Sequence, residues 1–239
     1  MGYSVDLNRV PILRYMEILN KQNLLPGRKI LLENLEENFH KMAAAGIHNL
    51  AELKNNISSA QRLFAFALKT GVPENYLTIL KREMGSLEQK PVPISDFPGI
   101  SANTVSILLN KSIRTSKDVY DLAINPNNIS IVSREMGVEA NELQEINSLC
   151  NLVRINGIGA IAARTMYEGG YKSVAEIAHA KATKLLESMN AVNMNKKYYK
   201  AKLGEKDMQF AIDAANIILE AEVSNAPDKL RTKLARSDR

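Results

Sequence analysis

Between residues 154 and 164 the chain reads RINGIGAIAAR, and several kinds of chemistry meet there. Gly157 and Gly159 bracket Ile158, Arg154 and Arg164 flank the pair, and the small residues Ala160, Ala162 and Ala163 follow. Glycine lowers helix propensity more than any residue but proline, so two of them among helices mark a tight turn or a close approach of backbones. A glycine–apolar–glycine turn at the start of a helix lets successive N–H groups point outward. With the helix dipole they form a site fitted to a phosphate oxygen. Ile158 is expected to turn inward, Ala162 and Ala163 to let two helices approach, and Met166 with Tyr167 to extend the buried face. Arg154 and Arg164 are expected to add charge beside the anion. Contacts of this kind hold a nucleic-acid backbone without reading its bases.

Two further stretches carry related chemistry. Gly99-Ile100-Ser101, within DFPGISANTVSILL, has the same shape, but Ser101 lacks glycine's freedom, the next basic residue is Lys111, and the surrounding segment is net acidic. Lys196, Lys197, Lys200, Lys202 and Lys206 interleave with Tyr198 and Tyr199 in the densest basic stretch. Against phosphate binding by the lysines stands a solvated face; against base stacking by the tyrosines stands core or rim packing. Helix starts carry free donors with or without a ligand, so both glycine turns also read as packing units.

Catalytic chemistry finds no foothold. Glu36-Glu37 and the residues around Glu139 and Glu142 read as exposed helix positions, and no glycine-rich loop ending in Lys-Ser or Lys-Thr is present. PDKLRTK (227–233) has the look of a restriction-type nuclease motif but lies in a polar tail without strands. His40, His48 and His179 have no metal-ligand spacing, and Cys150 sits on an apolar helix face beside Leu149 and Leu152. The chain is therefore expected to be no enzyme, with no metal, cofactor or small-molecule substrate.

The elements that must position these residues are helices. Apolar residues recur at helical spacing (Leu63, Phe64, Phe66, Ala67; Phe210, Ile212, Ala214, Ile217, Ile218), no alternating run reads as a strand, and prolines fall near helix starts or turns. The fold class is all-α. With 239 residues and 45% hydrophobic content, no membrane-length apolar run and no signal-peptide pattern, a cytoplasmic protein is expected. The net charge of +5 is uneven: residues 152–239 carry 15 basic against 10 acidic side chains, residues 91–151 carry 4 against 7. That asymmetry suits an anionic partner and also occurs on ordinary surfaces.

Self-similarity organises the helices. GIHNLAEL (46–53), SIRTSKDV (112–119) and GYKSVAEI (170–177) each place an apolar residue (Ile47, Ile113, Tyr171) two positions before Asn49, Thr115 or Ser173. Glu52, Asp118 or Glu176 stands three residues farther on. This is a capping box, so each segment ends one helix and starts the next; Asp118 is short for the task, making the middle copy the weakest. The copies lie 66 and then 58 residues apart, and Gly71-Val72 recurs as Gly137-Val138 at 66. REMG, at 82–85 and 134–137, is out of phase by this measure and reads as coincidence. Stepping 58 back from Gly157 reaches Gly99; another 66 reaches Glu33-Asn34-Leu35, where no glycine stands. The organisation expected is a degenerate first copy with N-terminal helices (1–90), a second copy (91–150), a third with the GIG turn (151–222) and a mobile basic tail (223–239).

The pattern of the turn, with Ile155, Ile158 and Ala163 at its apolar or small positions, resembles the helix-hairpin-helix motif of DNA repair and replication proteins. Together with LLPGRKILLE near the start and KLGEKDMQF near the end, residues 3–222 resemble a bacterial family of tandem hairpins of unknown function, related to the hairpin regions of flap-endonuclease-like proteins. The resemblance implies non-catalytic, sequence-independent binding of duplex or single-stranded DNA; the alternative is a protein-interaction scaffold whose hairpins are structural.

Overall fold

The computed structural model describes residues 2–22, 24–123 and 128–223, with the side chains of residues 123, 128 and 223 excepted; the basic tail and the PDKLRTK segment lie outside the described residues. The fold is all-α, with no strand among the described residues. The chain divides into two compact units: Val5–Glu88 with the end of the last helix from Glu220, and Gln89–Leu219 with the described residues up to Ser4.

In the N-terminal unit the helices are α1 (Ile12–Lys21), α2 (Leu35–Ala44), α3 (Leu50–Asn56), α4 (Ala60–Thr70) and α5 (Glu74–Gly85). Pro11 and Pro73 cap α1 and α5 with φ of −60°, the angle that the pyrrolidine ring fixes anyway. Tyr15, Phe39, Leu50, Leu53, Leu77 and Leu80 form its core, each at most 2% exposed. Tyr76 is buried among them and donates its hydroxyl to the Leu31 carbonyl at 3.0 Å.

The C-terminal unit holds α6 (Ala102–Asn110), α7 (Ser116–Ala123), α8 (Asn128–Met136), α9 (Ala140–Leu152), α10 (Ala160–Glu168), α11 (Val174–Ala178), α12 (Ala182–Lys196) and most of α13 (Glu205–Val223). Here α9 packs on α7, α8 and α10, and α10 packs on α12. Tyr3 belongs to this unit: its hydroxyl meets that of Ser116 at 2.7 Å, and its ring stands edge-on to Tyr120.

The three corners expected from the capping boxes share one geometry. Gly46, Ser112 and Gly170 all have left-handed backbones (φ 92°, 64° and 96°), and the next amide in each case bonds a carbonyl five residues back: Ile47 to Met42, Ile113 to Leu108, Tyr171 to Met166. Asn49 and Ser173 then cap α3 and α11 by accepting from the amides of Glu52 and Glu176, at 2.9 and 3.2 Å. Glu52 and Glu176 accept in return from the amides of His48 and Lys172. Ile47 and Ile113 are buried and Tyr171 partly so. The middle corner corrects one expectation. Asp118 is long enough, because the amides of Arg114 and Thr115 and the Thr115 hydroxyl all converge on one of its oxygens at 2.8–2.9 Å. The weak member there is the Thr115 hydroxyl, 3.4 Å from the Asp118 amide.

A second correspondence runs through the other connections. Gly71 (φ 69°) and Gly137 (φ 68°) lie at the ends of α4 and α8, Val72 and Val138 are buried beside them, and Pro73 and Glu139 start α5 and α9 with nearly equal φ and ψ. Gly85 of the out-of-phase REMG ends α5 without a positive φ. The end of α12 is left-handed too, at Lys197 (φ 54°), but a longer connection, residues 198–204, separates it from α13.

Candidate nucleic-acid interface

Gly157 makes the turn for two reasons at once. Its φ of +83° is costly for any side chain, and a Cβ there would meet the Phe210 ring at 3.1 Å. Ile158 is half-buried and gives its amide to the Ile155 carbonyl at 3.0 Å, so this donor turns back into the bend and not outward. Gly159, with an ordinary φ of −91° and open space where a Cβ would stand, begins α10 without a side-chain cap. Ala163 bonds the Gly159 carbonyl, while the amides of Gly159, Ala160, Ile161 and Ala162 find no acceptor among the described residues.

The two arginines are not beside this turn's open face. Arg154 is 6% exposed; its Nε donates to the Tyr3 carbonyl at 2.8 Å and its guanidinium lies 4.5 Å from the centre of the Tyr120 ring. Arg164 is 3% exposed, paired with Glu145 at 2.6 Å, and its guanidinium lies 3.3 Å from where a Gly99 Cβ would be. Its Nε and Nη2 have no hydrogen-bond partner among the described residues. Arg154 lies in the turn after α9 and Arg164 within α10, and both long side chains point inward and are used in packing. The expectation that they flank a surface anion is corrected accordingly.

At Gly99-Ile100-Ser101 the backbone is similar and the chemistry is not. Gly99 has φ +85°, but Ser101 caps α6 itself, accepting from the Thr104 amide at 3.0 Å and donating to the Thr104 hydroxyl at 2.8 Å. In the first copy the position that matches Gly99 and Gly157 is Glu33, with an ordinary φ of −75°; the left-handed residue is its neighbour Asn34 (φ 49°), which precedes Glu36 and Glu37 in the first turn of α2.

The start of α10 opens on a groove of about 550 Å³ within the C-terminal unit. Gly159, Ile161 and Ala162 border it on one side, Met189 of α12 contributes from another, and Val92 and Asp96 come from the segment before α6. The connection 198–204 supplies the rest: Tyr199, Ala201 and Leu203 line the groove, while Lys200 and Lys202, the residues between, are exposed. Lys196, Lys197 and Lys206 are exposed as well, and none of these five lysines makes an ion pair within the described residues. The connection is held by Asn193, whose side chain accepts from the Tyr199 amide and donates to the Tyr199 carbonyl, both at 3.0 Å. Tyr199 also gives its hydroxyl to the Met189 carbonyl at 3.4 Å. Tyr198 turns away, donating to Glu168 at 2.7 Å, and burial with that carboxylate raises its pKa.

Sequence reasoning found the turn and the lysines and missed the groove. The signal for it was the alternation Tyr199-Lys200-Ala201-Lys202-Leu203. Cys150 is fully buried, and burial pushes its thiol pKa up, which leaves it inert. Among the described residues no three His, Cys, Asp or Glu side chains gather as a metal site, and no helix is long and apolar enough to cross a membrane.

No curated protein and no solved structure matches the chain. Residues 98–216, a segment that contains both glycine turns and all of the groove's lining except Val92 and Asp96, match the model of one family, described as a domain of unknown function (DUF4332).

Proposed function

We propose that the corners are three successive copies of a helix-hairpin-helix unit, the first degenerate, and that the third binds a nucleic-acid backbone without sequence preference and without catalysing a reaction. The observation that carries this is the uncapped start of α10, with four amides lacking acceptors, bordered by a connection whose Lys200 and Lys202 are exposed and unpaired. Backbone donors at a helix start and nearby lysines are the groups that hold phosphate. Lys196 and Lys197 extend the positive charge along the end of α12. Arg154 and Arg164 drop out of the binding set and become packing residues. A cytoplasmic setting suits the single buried thiol.

The groove's apolar lining favours a second reading, a protein partner. Titration of the protein with labelled duplex and single-stranded DNA at low salt separates the two. Saturable binding is expected, with a log-affinity against log-salt slope of roughly −2 to −4 that becomes shallower by about one unit in Lys200→Ala and again in Lys200→Ala/Lys202→Ala. No saturable binding, or a slope that neither variant moves, overturns the backbone reading and leaves the protein-partner one.

A further inference from the structure

We infer that the groove beside α10 receives unpaired bases, so that the strand held by the lysines is single-stranded. This rests on the backbone-binding reading and adds to it the form of nucleic acid.

The connection 198–204 presents two different surfaces at alternate residues. Tyr199, Ala201 and Leu203 line the groove, Ala201 while itself exposed, and the exposed Lys200 and Lys202 lie between them outside its lining. A ligand that satisfies both is apolar on one side and anionic on the other, and the Tyr199 ring in the lining favours a flat apolar face. In a duplex the base faces are stacked away and the phosphates alone are presented, so the lysines would be used and the groove left empty. A single strand offers both at once, with phosphates along the backbone and base faces free to stack. About 550 Å³ of space, bordered by Ile161 and Met189 as well as the tyrosine, accepts a planar base, and Tyr199 is the aromatic surface for it.

Asp96 fixes the orientation. Its exposed side chain belongs to the wall supplied by the segment before α6, where a carboxylate repels phosphate and can accept from a base N–H such as the N3–H of thymine. Bases therefore enter and phosphates stay on the lysine side. The connection is also where the third corner set departs from the others: α4–α5 and α8–α9 are joined through Gly71–Pro73 and Gly137–Glu139, whereas α12–α13 is joined through the longer lysine and tyrosine segment.

The test uses the full chain and three probes of equal length: oligo-dT, the same strand with abasic sites throughout, and a duplex. Oligo-dT should bind about tenfold or more tighter than the abasic strand and tighter than the duplex. Tyr199→Ala should bring oligo-dT down to the abasic level, and Tyr199→Phe should keep the preference, because it retains the ring. Ile161→Gln, at a position 45% exposed and thus tolerant of change, should weaken oligo-dT more than the abasic strand. Equal affinity for all three probes in the unaltered protein overturns the inference and leaves backbone binding standing. Binding to none of them overturns both.

Discussion

The head of α6 and the head of α10 are built on the same bend and finished differently. Both follow a left-handed glycine, Gly99 or Gly157, and each glycine is pressed by a side chain: the Arg164 guanidinium against Gly99, the Phe210 ring against Gly157. At α6 the next step closes the turn, since the Ser101 hydroxyl takes the Thr104 amide. At α10 the corresponding residue is Gly159, which has no side chain to give, and the amides stay open beside a groove. One hydroxyl thus makes the difference at a single amide, Thr104 against Ala162; the amides of Ser101, Ala102 and Asn103 find no acceptor among the described residues, and neither do those of Gly159, Ala160 and Ile161.

The largest effect should come from the arginine that joins the two heads. Glu145→Ala strands the buried Arg164 charge, already short of partners at Nε and Nη2, and should cost about 2–3 kcal/mol in denaturant unfolding. Arg164→Met leaves a carboxylate that water can reach and should cost less than half as much. If the two losses are equal, the pair is not acting as a desolvated one. Next come the glycines. Gly157→Ala should cost about 2 kcal/mol, from the left-handed backbone and the displaced Phe210 ring, whereas Gly159→Ala should change stability by about 0.5 kcal/mol or less. Smaller again is the cap. Ser101→Ala should lose about 1 kcal/mol, and Gly159→Ser should gain a few tenths by closing α10 as α6 is closed. On the proposed reading Gly159→Ser also weakens DNA binding, so a variant both more stable and equally tight would break the comparison.

The smallest effect is a pH dependence at the middle corner. Burial alone would raise the Asp118 pKa, but the Arg114 amide, the Thr115 hydroxyl and amide, and the Lys117 charge together hold it below the ordinary carboxylate value. A depressed folded-state pKa gives stability that is present above the unfolded value, near pH 4, and is lost as pH falls through the folded one. The stability difference between the protein and Asp118→Asn should therefore shrink on acidification below about pH 4, as followed by unfolding curves at several pH values.

The corners were legible in the sequence because the bonds of their capping boxes are local, although the first two corners also bond backbone far away in sequence, at Val10 and Ile12 and at Val92 and Ile94. Asn49 needs only Glu52, and Ser173 only Glu176, three residues away. The same holds in part for the glycine turns: Gly99 and Gly157 take the left-handed backbone that their residue type permits, while Gly159 does not. What lay beyond reach depends on distant partners. Arg154 and Arg164 look like surface cations in a helical pattern, and only Tyr3, 151 residues away, and Glu145 decide that they are inside. Asn34 and Lys197 take left-handed backbones that their residue types do not announce, and the groove exists only where α10, α12 and the connection meet.

Tyr3 carries a consequence for how the molecule is made. Its carbonyl takes the Arg154 Nε, and its ring and hydroxyl meet Tyr120 and Ser116, all in the unit formed mostly by Gln89–Leu219. At roughly 5–20 residues per second, about 6–23 s of translation separate Tyr3 from Ser116 and about 8–30 s separate it from Arg154, so the tyrosine is made well before any of its partners. That unit therefore incorporates a segment translated well before its helices. A fragment cut to the family-matched segment alone would emerge with Arg154 lacking its carbonyl, and a short peptide carrying Tyr3 supplied in trans should bind and stabilise it.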